Sequence, residues 1–117
     1  MPEPVIVCLH QHAQELAEKV ASLCDGEVHG LQSRVNTIPE TFEKTKEHLQ
    51  ELFQKGHPLV GICSSGILIR SLADVLSDKH TEPPVLAVAE DGSCVIPLLG
   101  GHHGANELAR KIASGLG

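Results

Sequence analysis

Aromatic residues are nearly missing from this chain of 117 residues: there is no Trp or Tyr, and only Phe42 and Phe53. That excludes modules that bind nucleic acid by stacking bases on aromatic rings. Basic charge is also scarce, with nine Lys and Arg against fifteen Asp and Glu and a formal charge of −6. No basic footprint exists for a nucleic acid or an acidic membrane surface. No apolar run approaches the ~20 residues of a membrane span, and Met1-Pro2-Glu3-Pro4 has none of the features of a signal peptide. These absences read as a cytoplasmic protein with neither nucleic-acid nor membrane partners. Cys8, Cys24, Cys63 and Cys94 form no Cys-x-x-Cys pair, which excludes a zinc ribbon and a thioredoxin-type motif. Cys8, Cys63 and Cys94 fall in apolar runs, where buried free thiols are expected.

What remains is a chain of one-domain length whose core must be built from Val, Ile, Leu and Ala. Pro4 to Leu9, His57 to Cys63, Pro84 to Ala89 and Cys94 to Leu99 are short apolar runs that predict strands, and Glu27 to Leu31 is a weaker one. Helical spacing follows at Ala13, Leu16, Ala17, Val20, Ala21 and Cys24, closed by Asp25-Gly26. Thr37-Ile38-Pro39-Glu40 has the form of a capping box and predicts a helix from there to about Lys55, with Phe42, Leu49, Leu52 and Phe53 buried. The stretch from Ile67 is so apolar that its helix is expected to be covered on most sides. The last helix carries the stripe Ala105, Leu108, Ala109, Ile112, Ala113 and Leu116. Glu90-Asp91-Gly92-Ser93 is a hairpin signal, and Pro97 marks the returning strand as an edge or a bulge. The alternation predicts an α/β domain: a three-layer α/β/α sandwich with a mostly parallel, mixed sheet and a C-terminal β-hairpin. It resembles flavodoxin-like folds without their phosphate loop.

In such sheets ligands bind beyond the carboxyl ends of the strands. His10-Gln11-His12, Ser64-Ser65-Gly66 and Gly100-Gly101-His102-His103-Gly104 are therefore expected to meet at one edge. Such a mouth would hold four imidazoles, two hydroxyls and two helix starts suited to an anion. Ser64 and Ser65 can equally cap the helix. Arg70 can reach a ligand carboxylate or pair with Asp74 four residues on. Asn106 and Glu107 suit the first turn of the last helix with or without a ligand. His29, His48, His57 and His80 stand alone in sequence and are expected to be solvated. No Asp, Glu and His set has the spacing of a preformed metal site, so neither a metal nor a cofactor is expected in this domain.

Three blocks carry a family resemblance: Val60 to Arg70 (VGICSSGILIR), Pro84 to Gly92 (PVLAVAEDG) and Leu98 to Ala109 (LLGGHHGANELA). In this order they resemble the N-terminal domain of the CbiG family of cobalamin biosynthesis. The resemblance implies a precorrin-type tetrapyrrole as partner and the hydrolysis of cobalt-precorrin-5A, in which a lactone opens and a two-carbon piece leaves as acetaldehyde. Cobalt would arrive only with that substrate. It also implies a C-terminal catalytic domain in the parent chain, so that residues 1–117 read as one domain excised from a longer protein. On this reading His102 is the base and Asn106 orients it. Ser64, Ser65, Gly66, Arg70, Gly100, Gly101, His103, Gly104 and Glu107 bind the many carboxylates of the macrocycle. The family's hydrolases usually read Gly-His-x-Gly-Gly-Ala-Asn-Glu-Leu. Here Gly101 to Leu108 has one glycine fewer, as in the branch fused to precorrin-3B C17-methyltransferase, where the domain would be a non-catalytic accessory. His10 and His12 stand where the family more often has Thr and Gly, so resemblance assigns them no role. A plain α/β module for a small anion is the third alternative.

Overall fold

The computed structural model describes residues 2–35, 38 and 40–117. The four apolar runs become strands: β1 (Val5–Cys8), β4 (Leu59–Ile62), β5 (Val85–Val88) and β6 (Val95–Leu99). The weaker run forms β2 (Glu27–Leu31), and a two-residue strand, β3 (Thr41–Phe42), flanks it. The sheet order is β3-β2-β1-β4-β5-β6, parallel throughout except for the antiparallel β5/β6 pair. Every residue of β1, β4 and β5 is buried, because parallel strands carry helices on both faces.

Alternate side chains serve opposite layers. Ile6, Cys8, Val60, Ile62, Leu86 and Val88 pack with α1 (Gln14–Cys24) and α4 (Ala105–Leu116). Val5, Val7, Leu59, Val85 and Ala87 pack with α2 (Thr45–Gln54) and α3 (Ser65–Leu72). The three layers are those expected from the sequence.

Several local expectations need correction. The second helix starts at Thr45 rather than near Thr37, because Thr41 and Phe42 extend alongside Gly30 and Leu31 and add an edge strand. Thr37 and Pro39 of the capping-box motif lie outside the described residues. Helix α3 is not covered on most sides: Ile67 and Ile69 are exposed, as is Leu76 beyond its end, and an apolar groove of about 240 Å³ runs between the helix and Leu98 and Leu99 of β6. The cause is the hairpin, which ends the sheet at β6 and brings no further helix to that side. In α4, Ala113 of the expected stripe faces solvent. Cys94 is exposed, since it belongs to the turn and β6 starts one residue later, whereas Cys8, Cys24 and Cys63 are buried. Pro97 behaves as expected: β6 is an edge strand, and the register with β5 shifts between Val85 and Leu86, where Pro97 stands opposite Leu86.

Candidate functional site

The hairpin decides which loops can meet. The carboxyl ends of β1, β4 and β5 share one edge of the sheet, the carboxyl edge. Strand β6 runs the other way, with Val95 opposite Val88 and Leu99 opposite Val85. The Gly100–Gly104 loop therefore lies at the amino edge, beside the segment leading into β5. An added Cβ on Gly100 would sit 2.5 Å from Pro83 O and from two backbone atoms of Pro84. The expected convergence of three turns is thus corrected: two meet at the carboxyl edge and the third is on the opposite side.

At the carboxyl edge, β1 and β4 are neighbours whose following helices cover opposite faces. Such a reversal opens a crevice between them. His10 is extended, and the chain then turns through a short 3-10 segment, Gln11–Ala13, that feeds α1. The His10 and His12 rings stack 5.4 Å apart. Glu90, in the turn after β5, completes the group: its Oε2 lies 3.8 Å from His10 Nε2 and 3.5 Å from His12 Nε2. In the sequence Glu90 stands only as the first residue of a turn signal. The signal was available, since a turn following the parallel strand β5 must fall on the same edge as those following β1 and β4.

Two thiols lie beneath this group. Burial, reinforced by the Glu90 carboxylate, pushes the Cys63 thiol up to about 11. Burial also raises Cys8, whose Sγ donates to His10 O at 3.2 Å. Neither thiol is a nucleophile near neutral pH, because the reactive form is the thiolate.

Ser64 takes the N-cap position of α3 in an extended conformation, but its side chain makes no capping bond. The first turn of α3 therefore offers Ser65 and Gly66 N–H groups without a side-chain acceptor, a feature that suits an anion. The space over Gly66 is open: an added Cβ would meet nothing within 4 Å. Arg70 is not near this start; it occupies the last turn of α3 and is exposed. Asp74 pairs with Lys46 at 3.0 Å rather than with Arg70.

At the amino edge, the glycines answer to backbone geometry. Gly100 and Gly104 have φ of 80° and 94°, which residues other than glycine rarely adopt. Ala105 N and His103 N both donate to Gly100 O, closing the loop. The His103 ring bonds to His80 O, and the His102 ring meets the His80 ring at a tilt, with centroids 4.8 Å apart. Gly101, His102, Asn106 and Glu107 are exposed, and Asn106 makes no cap on α4. A shallow hollow of about 100 Å³ beside them is lined by Leu99, Gly101 and Asn106 among others.

Two of the histidines expected to be solvated are not. His29 and His48 pair at 2.8 Å, Nδ1 to Nε2, and the His48 ring stacks on Phe42 at 4.5 Å. Burial, with His29 adding to it, lowers the pKa of His48. His57 bonds through Nδ1 to Glu3 O. No helix among the described residues is long and apolar enough to cross a membrane.

Comparison with known proteins relates the chain to a family. The chain is 42% identical over 69 residues to a cobalt-precorrin-5A hydrolase of Priestia megaterium, covering 58% of this chain and 18% of that protein. It is 45% identical over 60 residues to the cobalt-precorrin-5A hydrolase of Salmonella typhimurium, covering 50% and 17%. The chain thus spans less than a fifth of the length of these curated relatives. A crystal structure of a cobalamin biosynthesis protein G homolog from Sulfolobus solfataricus shares the fold, with a TM-score of 0.70 at 22% identity, covering 97% of this chain and 34% of that one. The family described as Cobalamin synthesis G N-terminal matches residues 47–117. That segment holds Ser64 to Gly66, Glu90 and the Gly100–Glu107 loop, while His10 and His12 precede it. From the three sequence blocks, the shared fold and this match over more than half its length, the chain belongs to the Cobalamin synthesis G N-terminal family.

Proposed function

We propose that this domain serves the opening of the lactone of cobalt-precorrin-5A, the substrate named for its curated relatives, and that the macrocycle docks at the carboxyl edge. One observation carries the placement: the Glu90 carboxylate lies within 4 Å of both His10 Nε2 and His12 Nε2, beside the uncapped start of α3. Lactone hydrolysis needs a base for the attacking water and donors for the oxyanion. Either imidazole can take the proton from water while Glu90 pairs with the resulting cation. The Ser65 and Gly66 N–H groups can receive the oxyanion or a side-chain carboxylate of the macrocycle. Water's oxygen bonds to the lactone carbonyl carbon, the ester C–O bond breaks, and the products are a carboxylate and an alcohol. Acetaldehyde leaves in a later step, and any cobalt that arrived with the substrate stays in the macrocycle. The remaining length of the relatives would supply a second, catalytic domain as partner.

A second reading is favoured by the exposure of His102 and Asn106 beside the hollow at the amino edge. There His102 is the base, Asn106 orients it, and Gly100, Gly101, His103, Gly104 and Glu107 hold the substrate. Acetaldehyde release and corrinoid binding by the full parent chain decide between them. Loss of release in His12→Ala with retention in His102→Ala supports the carboxyl edge, and the reverse supports the amino edge. Binding without release in the unaltered chain points to the accessory domain of a methyltransferase fusion. Binding of simple anions without any corrinoid points to the small-anion module.

A further inference from the structure

A second cluster of ligating groups lies away from both loops, between β2, α2 and the segment before β3. Glu27 and His29 are two residues apart on β2 and so project from one face of the strand. Glu40 is brought to them across the strand pair by its backbone, whose carbonyl accepts from Gly30 N at 2.9 Å. One ligand atom from each of Glu27, His29 and Glu40 lies within 4.8 Å of the other two. His29 Nε2 is 3.2 Å from Glu27 Oε1. Tetrahedral ligands at about 2.0–2.2 Å from an ion stand roughly 3.4 Å from one another, so this pair is already at ligand spacing. His48 supports His29 from behind: its Nε2 meets His29 Nδ1 at 2.8 Å, and its ring is fixed by stacking on Phe42.

We propose that Glu27, His29 and Glu40 form a binding site for one divalent transition-metal ion, with His48 as the hydrogen-bond partner that orients the His29 ring. One imidazole and two carboxylates suit ions such as Zn²⁺ and exceed what Mg²⁺ or Ca²⁺, which take oxygen ligands, would use. The His29–His48 contact has the form found behind ligating histidines, whose second ring nitrogen donates to a neighbour. Without an ion, Nε2–H of His29 donates to Glu27 and Nδ1 accepts from His48. With an ion, Nε2 becomes the ligand, Nδ1–H donates to His48 Nε2, and the His48 proton moves to its Nδ1. Each ring exchanges one N–H position for the other, so the pair holds the same number of protons before and after loading. Three protein ligands leave positions for water, and the half-exposed Glu27 side chain gives the ion a path in.

The test is a titration with Zn²⁺ in competition with a chromophoric chelator, with metal content read by mass spectrometry. The expected result is one Zn²⁺ per chain. Glu27→Gln and Glu40→Gln, both at exposed positions, should each weaken it at least tenfold with the circular dichroism unchanged. His48→Asn should weaken it by about ten- to a hundredfold. Cys94→Ser and Asp78→Asn, which remove an exposed thiol and the carboxylate paired with His80, should leave it unaltered. Absence of stoichiometric binding, survival of binding in both glutamine variants, loss in either control, or equal competition by Mg²⁺ would each overturn the site. None of these outcomes depends on corrinoid chemistry, so failure here is distinct from failure of the proposed reaction.

Discussion

The two edges of the sheet use the same residue types for different ends. At the carboxyl edge, His10 and His12 face a carboxylate from a third loop, next to a helix start that no side chain caps. At the amino edge, His103 is bonded to the backbone of a neighbouring loop, the His102 ring meets that of His80 at a tilt, and Gly100 and Gly104 take positive φ because the turn demands it. Polar groups left open are available to a ligand, whereas polar groups tied to backbone mainly build a turn. A glycine-histidine motif is therefore not self-interpreting. Its meaning depends on what the backbone around it requires.

The largest effect expected from breaking this contrast is at Gly100. Gly100→Val adds a Cβ 2.5 Å from backbone atoms of Pro83 and Pro84 at a φ of 80°. It should cost at least about 2 kcal/mol, lowering Tm by roughly 8 °C or more. Next is activity: His12→Ala should slow acetaldehyde release by the parent chain about a hundredfold, and His102→Ala by less than about threefold. Equal losses would dissolve the distinction between the edges.

The His48 pair gives a pH signature. Its folded pKa lies below the ordinary 6.5 because burial and His29 disfavour the cation. The unfolded chain therefore binds the proton more readily in the window below 6.5. Stability is full above 6.5, falls as pH drops through the window, and levels off below the folded value. Urea midpoints at pH 7.5 and 5.0 should differ, and less so in His48→Gln. Thiol labelling at pH 8 should be fast at Cys94 and slow at Cys8, Cys24 and Cys63, since only Cys94 is exposed. In Glu90→Gln, Cys63 should label somewhat faster, because one of the two causes of its raised pKa is removed. The smallest effect is at Gly101→Ala, where the added Cβ meets nothing within 4 Å and Tm should change by less than the equivalent of about 0.5 kcal/mol.

Much of the fold was legible in residue order. The buried runs around Ile6, Val60 and Leu86, the apolar stripes of α1 and α4, the Asp91-Gly92 turn and the edge position of Pro97 are all local patterns, and local periodicity reports them. The two-residue β3 was not legible, because Thr41-Phe42 carries too few residues for any period and pairs only through Gly30 and Leu31. The open face of α3 was not legible either. Apolar side chains predict burial, but whether a layer exists to bury Ile67 and Ile69 depends on where the sheet ends.

By itself, then, the sequence determined most of the elements, their mainly parallel arrangement and the three blocks of the family. The tertiary structure decided which chemical groups are neighbours. Parallel strands deliver their following loops to one edge, and a single antiparallel return delivers its loop to the other. That reversal separated Gly100–Gly104 from His10 and Ser64. Contacts between residues far apart in the chain joined Glu90 to the two imidazoles and His48 to His29. Such meetings are set by strand direction and register, which no window of neighbouring residues contains.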